Sequence, residues 1–104
     1  MSMPSEEKSG RATGPVHRGR FSDGRTAAAT TVDVRLTDRG IVIAGHGGAE
    51  PLIWPYGALT SAAPLGGRPR DVLVSYAHQK GATLFVDDAT FVAELGRHAP
   101  HLSA

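Results

Sequence analysis

Five histidines, ten acidic side chains and no cysteine are the raw material for chemistry in this 104-residue chain. Without cysteine there is no thiolate nucleophile, no disulfide and no cysteine-ligated zinc. His98 and His101 stand three apart, a spacing that on a continuous helix would put both on one metal. Pro100 lies between them and ends any helix there, and no carboxylate is spaced to complete the set. Asp87 and Asp88 form an acidic pair of the kind used in acid–base work or cation binding. They directly precede a helical run, where carboxylates serve as caps. Gly45-His46-Gly47-Gly48 has the composition of a phosphate cradle, but such cradles need a following helix, and Glu50-Pro51 and a strand follow here. Ser22 and Ser75 have no base and orienting acid at recognisable spacing, so no hydrolase triad is drawn. The residues point to no catalytic centre, no metal and no cofactor.

Two groups remain as contact candidates. Trp54, the only tryptophan, stands beside Pro55 and Tyr56. This trio could form an aromatic docking surface for a protein partner. Alternatively, Trp54 is a core aromatic between Leu52 and Leu59, with its indole N–H satisfied locally. Arg18, Arg20 and Arg25 form the densest basic cluster, interrupted by Asp23, and are the candidate contacts for an anion.

The elements that must position these residues are short strands. Gly19-Arg20-Phe21 opens the ordered part and Ser22-Asp23-Gly24-Arg25 is a turn, since glycine takes the positive φ of tight hairpins. From Thr30 to Thr37 the chain alternates, with Val32, Val34 and Leu36 on one face, the period-2 mark of a half-buried strand. Asp38-Arg39-Gly40 turns it back into Ile41-Val42-Ile43. Leu52-Ile53-Trp54 is a further strand that Pro55 must end, bulge or place at an edge. Tyr56 to Ala63 reads as another, with Leu59 inward, and Gly66-Gly67-Arg68-Pro69 as a flexible loop. Asp71 to Ala77 and Ala82 to Val86 are the last strands, joined at Gln79-Lys80-Gly81. A helix from Asp88 to Ala99 closes the series, its apolar stripe made by Phe91, Val92, Leu95 and Ala99. Asp87 or Asp88 caps it, Pro100 stops it, and Leu102 tucks back. The expected fold is mainly β with one C-terminal helix. Six or seven antiparallel strands would form a bent sheet or open barrel of pleckstrin-homology-like order, capped by that helix.

Composition sets further bounds. Residues 1–15 are polar and turn-rich and read as a disordered tail, leaving 16–104 as a single small domain. The formal charge of +1 and the near absence of lysine argue against nucleic acid, whose binding needs a basic excess. No apolar run approaches the roughly 20 residues that span a bilayer, and no apolar stretch follows the charges of the tail as in a secretory signal. These features place the chain in the cytoplasm or at the periphery of the inner membrane.

Several motifs in this order resemble one family. They are Asp23-Gly24-Arg25, Val32-Asp33-Val34-Arg35-Leu36, Leu52-Ile53-Trp54-Pro55-Tyr56 and Leu84-Phe85-Val86-Asp87-Asp88, then Phe91, Leu95 and Ala99-Pro100-His101-Leu102. Together they resemble the N-terminal accessory domain of bacterial membrane zinc metallopeptidases, relatives of the CAAX-type and heat-shock-type gluzincins. The resemblance covers Gly19 to Leu102. Those peptidases carry a His-Glu-x-x-His helix, and this sequence has none. The resemblance therefore implies a non-catalytic accessory or interaction domain that positions or regulates such a peptidase in cis or in trans. An anionic-lipid or anion-binding module using Arg18, Arg20 and Arg25 is the first alternative. A fragment of a full zinc metallopeptidase is the second.

Overall fold

A computed structural model describes residues 15–26, 28–48, 50–63, 65 and 70–103. The tail over residues 1–14 and the Gly66-Gly67-Arg68-Pro69 loop lie outside the described residues. Among the described residues seven strands follow one another: β1 (His17–Ser22), β2 (Thr30–Leu36), β3 (Gly40–Ala44), β4 (Leu52–Pro55), β5 (Leu59–Ser61), β6 (Val72–Tyr76) and β7 (Thr83–Val86). Helix α1 (Ala89–His98) and a 3-10 turn (Pro100–Ser103) complete the order. The strands make one antiparallel sheet in the order β4-β3-β2-β1-β7-β6-β5, rolled into a nearly closed barrel. The fold expected from the sequence, mainly β with a closing helix, is the one observed.

Alternation decides which side chains fill the barrel. Val32, Val34 and Leu36 of β2 point inward, as do Ile41 and Ile43 of β3, Val72 and Val74 of β6, and Leu84 and Val86 of β7. From α1, Phe91, Val92 and Leu95 complete the core, and Ala99 and Leu102 seal its rim. Each such large apolar side chain contributes about 1.5–3 kcal/mol when fully buried.

Two elements differ from the sequence reading. The first strand starts at His17 rather than near Gly19, with His17, Gly19 and Phe21 all inward. The polar neighbours of His17 hide this alternation in the sequence. The stretch from Tyr56 to Ala63 is not one strand: Tyr56–Ala58 forms a 3-10 turn and only Leu59–Ser61 pairs with β6. Pro55 ends β4, which is an edge strand, consistent with a residue that has no N–H to donate.

The edges β4 and β5 are consecutive in sequence, so the short turn between them is where the barrel fails to close. Strand β5 is sealed from another side. The imidazole Nε2–H of His101 donates to the Leu59 carbonyl at 3.1 Å, and the Leu65 N–H donates to the Leu102 carbonyl at 2.9 Å. Pro100 thus redirects the chain into a turn that covers the edge.

Strands β3 and β4 approach most tightly at Gly40, which lies opposite Pro55. A Cβ at Gly40 would sit 2.3 Å from the Trp54 carbonyl oxygen, a backbone atom that cannot swing aside. Gly40→Ala should destabilise the fold by roughly 1–3 kcal/mol or more, as overpacking does, read as a lowered urea midpoint. An unchanged midpoint would remove the close approach as a constraint.

Candidate functional site

The loop end of the barrel is built by two glycine turns. Gly24, between β1 and β2, and Gly81, between β6 and β7, both have φ near +84° (83° and 84°). A Cβ on Gly24 would fall 2.5 Å from the Gly81 carbonyl oxygen, so the two turns lie backbone against backbone. The Asp23 carboxylate accepts the Arg25 N–H at 2.8 Å and fixes the residue after Gly24. Arg25 and Lys80 thereby reach one hollow of about 400 Å³, together with Asp23, His46, Leu52 and Gln79. Among the described residues neither Arg25 nor Lys80 is in a salt bridge.

Trp54 lies beneath this hollow. It is 1% exposed, stacks on Tyr76 at 5.2 Å between ring centres, and donates its indole N–H to the Gln79 side-chain oxygen at 3.2 Å. Of the aromatic trio, then, Trp54 is a core residue that steadies the β6–β7 turn. Pro55 is exposed, and Tyr56 is half-buried on the helix side. The Tyr56 hydroxyl donates to the Thr37 carbonyl, and its ring stacks on His98 at 4.9 Å with only 6° between planes. Burial pushes the Tyr56 phenol up to about 12, and the negative charges of Asp38 and Glu94 add to this.

The arginine cluster is divided. Arg18 and Arg20 alternate with inward residues and share the outer face of β1 in a groove with Thr31, Phe85 and Asp87. There Arg18 pairs with Asp33 at 3.2 Å, both side chains exposed. Arg25 lies instead at the loop mouth. His98 and His101 are likewise separated in role, one stacked on Tyr56 and the other bound to Leu59. Among the described residues no three His, Cys, Asp or Glu side chains could share a metal. The Gly45–Gly48 segment is a loop between β3 and β4, where the His46 imidazole N–H donates to the Glu50 carbonyl at 3.0 Å. Ser22 accepts the Gly24 N–H at 3.4 Å, and Ser75 sits mid-sheet opposite Thr60 and Thr83.

Asp88 is the helix cap, while Asp87 is exposed on the outer face. One Asp88 oxygen accepts the Thr90 and Phe91 N–H groups at 2.9 and 3.2 Å. The other accepts the Nδ1–H of His17 at 2.8 Å. The imidazole also meets the edge of Phe91 at 5.2 Å. His17 is the residue that sequence reading missed. Extending the alternation of Phe21 and Gly19 one step back would have placed it inside. The meeting of Arg25 with Lys80 left a fainter signal, the paired Asp-Gly and Lys-Gly turns.

Among the described residues no helix is long and apolar enough to cross a membrane. Among curated proteins, none matches the chain. Residues 16–99 match the family described as domain of unknown function DUF7092, and the chain belongs to it.

The hydrogen bond to His17 holds the Asp88 carboxyl below its usual value, helped by the Phe91 and Thr90 N–H groups. A depressed folded value means that this stabilisation is fully present above the unfolded aspartate value, about 3.9. It is lost as pH falls from there through the lower folded value. Asp88→Asn keeps a capping oxygen but not the charge. It should flatten the stability profile as pH falls below about 4, where the wild type loses stability. Urea midpoints across that range check this, and parallel profiles would overturn it.

Proposed function

We propose that this chain is a non-catalytic accessory domain of pleckstrin-homology-like architecture. It positions or regulates a membrane-associated zinc metallopeptidase through protein contact, in the cytoplasm or at the inner-membrane surface. Two things support this reading. One is the resemblance carried by Trp54-Pro55-Tyr56 and by the Asp88-to-Leu102 ending. In the structure most of these residues are packing residues: Trp54, Phe91, Leu95, Ala99 and Leu102 are buried and Asp88 caps the helix. The resemblance is therefore one of scaffold, and the partner must be met by other side chains.

The observation that carries the reading is the outer face of edge strand β4. Ile53 is 49% exposed, with Pro55 two residues on along the same face. Val42 of β3 stands directly opposite Ile53 in the ladder and is half-buried. Together they make an apolar strip at a sheet edge, a surface suited to protein contact. Affinity purification from the source cell should recover a membrane peptidase with the wild-type chain and lose it with Ile53→Lys. Recovery of no peptidase, or the same partners with both chains, would sink the reading.

A second reading rests on a separate observation, the convergence of Arg25 and Lys80 on one mouth. In it the domain binds an anionic headgroup there. Sedimentation with vesicles of acidic phospholipid should then be abolished by Arg25→Glu with Lys80→Glu. It should be little changed by Arg18→Gln, whose guanidinium is engaged by Asp33. Equal loss from both changes would point to net charge rather than a site.

A further inference from the structure

On the outside of the barrel, the ladder registers gather side chains far apart in sequence into one row. Ile53 of β4 stands opposite Val42 of β3, and Val42 stands opposite Arg35 of β2. Strand β1 meets β2 with His17 opposite Val34, so one further step of that register sets Val16 beside Arg35. All four lie outside the core: Ile53 and Val16 are 49% and 47% exposed, and Val42 and Arg35 are half-buried. Among the described residues the exposed large apolar side chains are Val16, Ile53 and Leu73, and two of these three fall in this row.

Arg35 is the member of the row that an apolar partner alone would not suit. Among the described residues its guanidinium is in no salt bridge. The charges beside it on the same face, Arg18 and Asp33, are already paired with each other at 3.2 Å. The row therefore carries one uncompensated positive charge, half-buried between aliphatic side chains. A purely apolar cover would strip its remaining water and supply no acceptor, which is costly. A carboxylate brought against it would make a charge-assisted bond where water is already partly excluded.

Spacing selects the shape of the partner. Neighbouring strands lie about 4.8 Å apart. A helix laid across them advances about 5.4 Å per turn, so side chains one turn apart meet successive strands. An extended segment repeats on one face only every ~6.7 Å and falls out of step. We infer that this row docks an amphipathic helix of a partner protein, with aliphatic side chains at i and i+4 against Ile53 and Val42 and a carboxylate at i+7 against Arg35. The inference rests on the reading of the β4 face as a protein contact and adds the shape and charge of what covers it. It holds whether or not the helix belongs to a peptidase. Ile53 and Val42 supply the apolar contact, and Arg35 selects the acidic helix.

The test titrates the full chain with a lactam-bridged helical peptide that carries leucine at i and i+4 and glutamate at i+7, followed by amide chemical shifts at neutral pH. Saturable shifts centred on Val16, Arg35, Val42 and Ile53 are expected. Arg35→Glu should weaken binding roughly tenfold or more, as for loss of a charge-assisted hydrogen bond. The same variant should regain binding to the peptide with lysine at i+7. If Arg35→Glu disturbs the spectrum of the fold, Arg35→Gln gives the loss alone. Arg18→Gln removes the same charge from the same face, but from the Asp33 pair, and should leave the affinity unchanged. Equal affinity of the wild type for both peptides, lost with Ile53→Lys, would overturn the inference and leave the apolar protein contact standing. Absence of saturable shifts with either peptide, or shifts at this row only with vesicles of acidic phospholipid, would also overturn it.

Discussion

The Asp88 carboxylate joins the two halves of this molecule. One oxygen satisfies the orphan amides at the start of α1, and the other holds His17 at the start of β1. A buried imidazole without such a partner would be costly, and so would an uncapped helix. One side chain resolves both and in doing so sets where the helix begins relative to the barrel. From that anchor Phe91, Val92 and Leu95 face the core, and the 3-10 turn beyond Ala99 reaches the edge of β5. The helix acts as a plug because its first residue is tied down.

The barrel therefore has two unlike ends. At one, the helix leaves a hollow between itself and the sheet, lined by His17, Leu36, Asp38, Glu94 and His98. At the other, two glycine turns meet and carry Arg25 and Lys80 to a common mouth. Asp38 and Glu94 line the first, while Arg25 and Lys80 reach the second beside Asp23. The outer face of β4 adds a third kind of surface, apolar and at a sheet edge.

Much of the scaffold was legible because strand periodicity and helix punctuation are local signals. The alternation of Val32, Val34 and Leu36, the capping position of Asp88 and the stop at Pro100 all appear where the pattern puts them. Tyr56 misled because an aromatic residue before Leu59 looks like strand, whereas here it turns the chain and leans on His98. The arginine triplet looked like one cluster because its members are near in sequence. Strand alternation keeps Arg18 and Arg20 on the outer wall, and the turn sends Arg25 to the mouth. His17 was overlooked because a histidine among arginines reads as surface. Its burial depends on Asp88, 71 residues away, and no local pattern reports such a partner.

The position of β1 in the sheet has a consequence for how the chain acquires its structure. β1 is flanked by β2 on one side and β7 on the other, so Arg20 pairs with both Thr31 and Phe85. The hairpin with β2 is a short-range event. The ladder with β7 requires the chain to have traversed every other strand first. The first of these seven strands to be synthesised is therefore among the last to be completed. Until then it offers an unpaired flank to any other extended chain nearby.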